Sequence, residues 1–354
     1  MNAEPATFSL PRALLVAVPI AALVGVGMTL WNQSVQKNAT SDLQRAVMST
    51  MLSSTLPNPE TDFEFVDADD DLLADPPADA ADMQQPSPLV FSYIAAELDE
   101  GEEADLSNWA ELSEAIAQAT GVPVSVKHYQ SIDEQLLALR EGEVHLVGLS
   151  TGAAPHAVAT AGFHPLCTLA KPDGSVGYRM QVIAGSGSGV ETLADLGGKK
   201  VVFVRPTSNS GFKAAFVLLH EAGLLPEQHY QWSFSLSHKQ SIRDVVDGVA
   251  DAAPVASDIL QGMVDAGQID AEDYRVVVES EVFPPAVLGC AHNLPADMVA
   301  TLRETLDTFD WQGTGLEREL GPLNAASFTP VVYKDDWANI RRIDDSVLSI
   351  IGAQ

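Results

Sequence analysis

The sequence predicts an α/β protein of two lobes with a hinge, preceded by one transmembrane helix. From Leu89 onward, short apolar runs alternate with amphipathic stretches, which is typical of α/β construction with parallel strands. The alternation does not reach the eight βα units of a closed barrel, and this favours two lobes of similar size. Near the start, residues 13–31 contain no charged side chain, and about 20 apolar residues are enough to span a bilayer.

Residues 13–31 are expected to form an uncleaved membrane anchor. Arg12 precedes them, and Trp31 lies where an interfacial aromatic residue would lie, so residues 1–12 should remain in the cytoplasm. The alternative is a cleaved signal peptide, whose apolar region usually has about 7–15 residues and ends at a small-residue site. This run is longer and ends in Met-Thr-Leu-Trp. We therefore expect a single-pass protein of the cell membrane whose main part lies on the periplasmic, extracytoplasmic side.

The chain is strongly acidic. Its 354 residues include 19 basic and 49 acidic side chains, a formal net charge of −30, which argues against a nucleic-acid partner. Between Arg45 and Lys127 there are 18 acidic residues and no basic one. Such a segment repels itself and buries little apolar surface, so residues 32–86 are expected to form a disordered acidic tether.

No metal site or cofactor is expected. The aspartates from Asp67 to Asp71 lack the turn glycine and the distal glutamate of an EF-hand loop, and the histidines lack the helical pair of a zinc protease. The two cysteines, Cys167 and Cys290, are too few for a disulfide scaffold or a cysteine-rich zinc module. The sequence leaves open whether these two pair with each other.

Apolar periodicity predicts the elements in two blocks. The first block contains strands at 89–94, 122–129 and 144–149, and helices at 109–120 and 132–140. The second block contains strands at 200–204, 230–236, 251–255 and 275–279, and helices at 211–222 and 241–249. Two closing helices are expected at 297–309 and 337–351.

The most informative stretch is residues 201–213, where an apolar strand leads into Thr-Ser-Asn-Ser-Gly and then directly into a helix. Free backbone N–H groups and the positive end of the helix dipole can bind an anion at such a junction. Ser208, Asn209 and Ser210 add short polar side chains, and Gly211 would let a ligand approach the backbone. An ordinary helix cap explains the same residues equally well. The glycine spacing of a P-loop is absent.

A second stretch of the same kind, residues 235–242, carries His238 at the start of the next helix. A histidine can donate a hydrogen bond to an anion and changes charge near neutral pH. Taken alone, a histidine at this position is more often a capping or surface residue.

Several segments together carry a resemblance to a known family. They are Thr-Ser-Asn-Ser-Gly at 207–211, Ser-His at 237–238 followed by Ser-Ile at 241–242, Gly-Val-Ala-Asp-Ala-Ala at 248–253, and the segments 136–148, 161–166 and 275–284. In this order they resemble the phosphonate/phosphite/phosphate-type substrate-binding proteins of ABC transporters, over residues 89–309. The resemblance implies the type II periplasmic binding protein fold, with lobe 1 formed by residues 87–183 and 280–354, lobe 2 by 184–279, and hinges near 182–184 and 279–283.

The resemblance also implies the role of each site residue. Ser208, Asn209 and Ser210 take the places of the family's small polar triplet, in which the middle residue is often Thr, and His238 takes the place of the oxyanion-binding histidine. Tyr178 matches a pocket tyrosine. The implied ligand is a phosphorus oxyanion, and the implied partner is an ABC permease in the inner membrane.

Two departures from the family bear on the ligand. Where the family has a second pocket tyrosine this chain has Ile132, and Tyr129 lies close enough in sequence to replace it. Of the two acids that hold the amine of an aminoalkyl phosphonate, Asp258 matches one, while the other position is Ala286. This favours a ligand with a smaller or uncharged tail.

Other functions remain as alternatives. Ser208 or Ser210 with His238 and Asp258 could be written as a hydrolase triad, but neither serine lies in a Gly-x-Ser-x-Gly motif and the resemblance assigns these residues to binding, so an enzyme is not expected. A membrane-tethered sensor of the same fold, signalling to a membrane partner, is the main alternative to delivery of the ligand to an importer. A scaffold that has lost its ligand is the third.

Overall fold

The computed structural model describes residues 65–93, 105–129 and 131–352, which all belong to one compact unit, Met51–Gln354. The expected anchor at 13–31, the cytoplasmic residues 1–12 and the first part of the expected tether lie outside the described residues. Within the described ranges, none of the helices combines the length and the apolar character needed to cross a membrane.

Eleven strands form in the described part of the chain. They are β1 (Leu89–Tyr93), β2 (Val124–Lys127), β3 (Leu146–Leu149), β4 (Phe163–Ala170), β5 (Tyr178–Gly185), β6 (Lys200–Phe203), β7 (Gln231–Phe234), β8 (Ala252–Ala256), β9 (Tyr274–Phe283), β10 (Val287–Ala291) and β11 (Ser327–Pro330).

The α-helices of the described part alternate with these strands. They are α1 (Ala110–Thr120), α2 (Ile132–Arg140), α3 (Ala154–Ala161), α4 (Ala214–Glu221), α5 (His238–Val246), α6 (Ser257–Asp265), α7 (Ala296–Thr308), α8 (Gly315–Leu320), α9 (Tyr333–Asp336) and α10 (Ala338–Gly352). A π turn, Asn209–Lys213, leads directly into α4.

The strands form two mixed sheets, and each sheet is the centre of one lobe. The first has the order β11-β4-β10-β3-β1-β2 and the second the order β7-β6-β8-β5-β9. In the first sheet β1 is parallel to β2 and β3, while β10 runs antiparallel to β3 and β4. In the second sheet β6 is parallel to β7 and β8, while β5 runs antiparallel to β8 and β9. The expectation of two α/β lobes is confirmed.

The chain crosses between the sheets at residues 171–177, between β4 and β5, and at residues 284–286, between β9 and β10. The expected hinges at 182–184 and 279–283 instead lie inside strands of the second sheet. Val182, for example, is opposite Pro254 on one side and Val278 on the other. Hinges form at loop or element-terminal residues, so the second expected hinge adjoins the crossover at 284–286, while the first lies within β5.

The end of the expected tether differs from the prediction. Residues 65–86 lie against the first lobe: Leu73 and Ala74 are buried, and the N–H of Gln84 donates to the carbonyl of Asn293 at 2.8 Å. The Phe65 ring contacts His292 edge-on, with the ring centroids 4.9 Å apart. The composition argument failed here because a few apolar side chains suffice to dock a short segment on an existing surface.

The C-terminal helix also departs from its expected place in the first lobe. Helix α10 packs against α4 and the π turn, which belong to the second lobe. The residue before it, Trp337, is fully buried and donates its indole N–H to the carbonyl of Thr151 in the first lobe, at 3.0 Å. The C-terminal segment therefore contacts both lobes.

The two cysteines are free and buried. Burial raises the pKa of both thiols, that of Cys290 to about 12.

Candidate ligand-binding site

A cavity of about 420 Å³ lies between the two lobes, within the usual range for small-molecule sites. Residues of both sheets and of the segments that connect them line it. The lining includes Tyr93, Thr151, Gly152, Tyr178, Ser208, Asn209, Ser210, His238, Asp258 and Ala286.

The turn after β6 brings three polar residues to this cavity. Ser208 caps the π turn: its backbone is extended, and its Oγ accepts a hydrogen bond from the N–H of Gly211 at 3.0 Å. The first N–H groups of a helix have no carbonyl partner within it, and such a helix start favours an anion nearby. A π turn inside a helix is also frequent at functional sites.

Asn209 is the most unusual of the three. Its side chain is only 2% exposed and lines the cavity. Neither its Nδ2 nor its Oδ1 atom has a hydrogen-bond partner among the residues that the structure describes. Leaving a buried polar group unpaired costs about 1–3 kcal/mol, so this amide stands out among the polar groups of the cavity.

His238 is neutral, contrary to the expectation that it changes charge near neutral pH. Burial, with a smaller effect of the nearby Arg205 charge, lowers the pKa of its imidazole to about 3. Its Nδ1 accepts a hydrogen bond from the backbone N–H of Ala256 at 3.1 Å, so the single ring proton must lie on Nε2. Nε2 lies 3.4 Å from Ser208 Oγ, at the cavity.

This arrangement also argues against the hydrolase triad. In a triad the histidine donates its Nδ1 proton to a carboxylate and accepts the hydroxyl proton at Nε2. Here the polarity is the reverse, because Nδ1 is the acceptor. Ser208 Oγ thus faces two N–H donors, Gly211 and His238, and its own proton is free to point at a ligand.

Tyr178 and Asp258 of the second lobe also line the cavity. Tyr178 begins β5, with its ring against Phe283, and burial raises the pKa of its phenol. Asp258 lies in the first turn of α6, where Oδ1 accepts a hydrogen bond from the N–H of Ile259 at 2.9 Å. Burial raises the pKa of this carboxyl to about 6.

Two expected site residues do not line the cavity. Gly211 packs closely against β6, since a Cβ there would lie 2.5 Å from Val204 Cβ. The Tyr129 hydroxyl instead accepts a hydrogen bond from Lys127 Nζ at 3.3 Å, at the edge of the first lobe.

The aromatic residue that lines the cavity from the first lobe is Tyr93, which sequence reasoning missed. It is the last residue of β1, and its ring lies 4.5 Å from that of Trp109. Its position was a usable signal, because ligands of open α/β sheets bind beyond the carboxyl ends of the parallel strands.

Comparisons with known proteins identify the family and the fold. The family model described as "ABC transporter, phosphonate, periplasmic substrate-binding protein" matches residues 95–337. Among solved structures, the binding component of a Pseudomonas aeruginosa phosphonate ABC transporter is 17% identical, with a TM-score of 0.59 over 76% of this chain and 98% of that one. PhnD1 of Prochlorococcus marinus in complex with methylphosphonate is 15% identical, with a TM-score of 0.61 over 74% and 99%.

A third solved structure, a Xanthomonas citri protein bound to ATP, is 16% identical, with a TM-score of 0.63 over 75% of this chain and 99% of that one. At these identities the structural matches establish a shared fold.

Proposed function

Because the chain belongs to the periplasmic substrate-binding proteins of phosphonate ABC transporters, we propose that it captures a phosphorus oxyanion in the cavity between its lobes and delivers it to an ABC importer. The observation that carries the proposal is Asn209, a buried amide without a partner that faces the cavity at the start of a helix. A ligand oxygen at this point satisfies the amide and the free N–H groups of the turn together.

The donors on the second lobe fit an oxyanion. The Ser208 hydroxyl, the Nε2–H of His238 and the Nδ2–H group of Asn209 all lie at the cavity. None of these three is charged, so the hydrogen bonds gain their strength from the charge of the ligand and from exclusion of water. Short-range donors are also what a chain of net charge −30 requires, since its long-range field repels an anion.

The amide of Asn209 has an acceptor as well as a donor. A monoprotonated phosphonate or phosphate has both the oxygens that accept from Nδ2 and a P–OH group that donates to Oδ1. Sulfate at neutral pH has no such proton. The amide therefore supports a protonated phosphorus oxyanion over sulfate.

The remaining lining supports a short organic tail. Ile259, Pro285 and Ala286 are apolar, and Ala286 stands where a second acid for an amine was expected. Of the two positions that hold the amine in the family, only Asp258 is an acid here, although Glu319 also lines the cavity. This composition favours methylphosphonate or a similarly small ligand over 2-aminoethylphosphonate.

Membrane attachment is part of the proposal. The uncharged residues 13–31 support an anchor that keeps the binding domain close to its permease.

Calorimetric titration tests the proposal directly. Residues 51–354 would be titrated with phosphate, phosphite, methylphosphonate, 2-aminoethylphosphonate, ATP and sulfate, where ATP is included because one structural neighbour binds it. We expect micromolar or tighter binding of one phosphorus compound and no binding of sulfate. Absence of heat with every phosphorus compound would contradict the proposed function.

A further inference from the structure

Lys213, the last residue of the π turn, is completely buried but does not line the cavity. Its Nζ atom forms an ion pair with Asp344 Oδ1 at 2.9 Å and donates a hydrogen bond to the carbonyl of Gly152 at 2.7 Å. Asp344 is itself only 2% exposed. A buried ammonium is costly unless it is paired, so this lysine must be held by both contacts.

The two contacts of Lys213 join different parts of the molecule. Asp344 belongs to α10, which packs on the second lobe, so this ion pair stays within one body. Gly152 belongs to the first lobe and lines the cavity beside Thr151. The hydrogen bond to its carbonyl therefore crosses from one lobe to the other.

The backbones of the two lobes touch at the same place. A Cβ on Gly152 would lie 2.7 Å from the backbone nitrogen of Asn209 and would also collide with the carbonyl oxygen of Thr207. Next to it, the carbonyl of Thr151 accepts the indole N–H of Trp337. The loop at Thr151–Gly152 of the first lobe therefore packs directly against the turn at Ser208–Gly211 of the second lobe.

We propose that Lys213 is a positioning residue for ligand binding. Oriented by Asp344 of the C-terminal helix, it connects the loop at Thr151–Gly152 to the turn at Ser208–Gly211 when the lobes are closed. The identity of the ligand in this inference depends on the proposed function. Opening the lobes would break the bond to Gly152 and leave the buried ammonium with one partner fewer. The bond therefore stabilises the closed arrangement, in which the groups of both lobes reach one ligand.

The first test measures the distance between the lobes without any ligand. Spin labels would be attached at Leu137→Cys in the first lobe and Val249→Cys in the second, which are 55% and 61% exposed, while the native cysteines are buried. The variant is Lys213→Met with Asp344→Leu, because removing both charges leaves no unpaired ion. We expect a new population at a different distance in this variant. A distribution identical to that of the wild type would overturn the proposal.

Lys199→Met is the matched control. Lys199 Nζ also donates to a carbonyl, that of Ser188 at 2.6 Å, and pairs with Asp251 at 3.8 Å, but both partners lie in the second lobe. Its interlobe distances should match the wild type. If the double variant does not fold, the isosteric Asp344→Asn replaces it, because it weakens the ion pair with Lys213. This variant should give the same change in interlobe distance in a smaller population. No change in distance would overturn the proposal.

The second test separates positioning from simple structural support. In the double variant we expect a thermal midpoint close to that of the wild type and at least about tenfold weaker binding of the phosphorus compound that the wild type binds, as for one lost charged hydrogen bond. Wild-type affinity at wild-type stability would overturn the positioning role. If the wild type bound no phosphorus compound, the proposed function would fail, and the distance measurement would still decide whether Lys213 joins the lobes.

Discussion

The Nδ1 atom of His238 accepts the backbone N–H of Ala256 at 3.1 Å, and this single hydrogen bond determines how the ring can be used. It places the proton of the neutral imidazole on Nε2, toward Ser208 and the cavity. His238 is therefore a fixed, uncharged donor, and a binding role follows more naturally from it than proton transfer.

The first prediction concerns the pH dependence of stability at His238. Its pKa is lowered from 6.5 to about 3 in the folded protein, so below pH 6.5 the unfolded chain takes up a proton that the folded chain does not. The contribution of the neutral His238 to the free energy of unfolding is therefore complete above pH 6.5 and is lost as the pH falls toward 3. Between pH 7.5 and pH 5 the loss from this residue should be about 2 kcal/mol.

Urea unfolding of the wild type and of His238→Asn at both pH values measures this contribution. The asparagine does not titrate but can still accept from Ala256, so the variant should lose less stability on acidification. Equal losses in the two proteins would mean that His238 titrates normally in the folded state.

The second prediction concerns Asn209 and separates affinity from stability. In Asn209→Ala the unpaired buried amide is removed, so the ligand-free variant should be as stable as the wild type or more stable. Binding of the phosphorus ligand should weaken by about tenfold or more, as measured by calorimetry.

Gln135→Ala is the control for this prediction. Gln135 is also a buried amide with an unpaired oxygen, but its Nε2 donates to Ser92 Oγ at 3.0 Å in the first lobe and the residue does not line the cavity. Its loss should reduce stability and leave affinity unchanged. A clear loss of stability in Asn209→Ala with unchanged affinity would contradict the assigned role.

Much of the fold could be predicted because local and tertiary signals agree. Helix 132–140 was predicted with its observed bounds, since Ser131 caps it and the apolar residues fall on one face. Helix α5, however, begins at His238 and not at 241, because Ser237 caps it by accepting the N–H of Gln240. Strands β4 and β10 lack a period of two because they are buried on both faces, so alternation could not reveal them.

The candidate site could be predicted where its residues are neighbours in the sequence. It was harder to predict where residues from distant parts of the chain line the same cavity. Ser208, Asn209 and Ser210 form one turn, and their grouping showed in the sequence. Tyr93 and Thr151 reach the cavity only through the order of the strands in the first sheet. Tyr129 was selected for its sequence distance from Ile132, which says nothing about the direction of a side chain.

The third prediction concerns Gly211. An added Cβ would lie 2.5 Å from Val204 Cβ and 2.7 Å from Ser208 Oγ, in a turn that is otherwise helical. Gly211→Ala should therefore lower the free energy of unfolding by about 1–3 kcal/mol, although alanine is normally the better helix residue. Ligand affinity should fall as well, because the Ser208 cap is displaced.

Two further variants make the cause of this effect visible in the same unfolding experiment. Gly187→Ala, where an added Cβ meets no atom within 4 Å, should be neutral. Combining Gly211→Ala with Val204→Ala opens space and should recover part of the stability if the clash is the cause. An unchanged stability in Gly211→Ala would show that the turn is not tightly packed on β6.

The fourth prediction concerns Asp258, whose pKa is raised from 3.8 to about 6 by burial. The folded protein therefore holds a proton on this carboxyl at pH values where the unfolded chain has lost it, and the residue becomes destabilising as the pH rises through this range. Asp258→Asn should raise the stability at pH 7.5 by about 1–2 kcal/mol, a figure reduced because the side chain is only half-buried, and should have little effect near pH 3. Urea unfolding at the two pH values tests the sign.

The same variant distinguishes the ligand classes. If the tail of the natural ligand is uncharged, Asp258→Asn should bind it with nearly the affinity of the wild type, since Ala286 leaves the acid without a companion for an amine. Binding of 2-aminoethylphosphonate, already weaker in the wild type, should weaken further, because its ammonium group would lose the carboxylate of Asp258. Strong wild-type binding of 2-aminoethylphosphonate that Asp258→Asn abolishes would instead mean that one buried acid is sufficient to hold an amine.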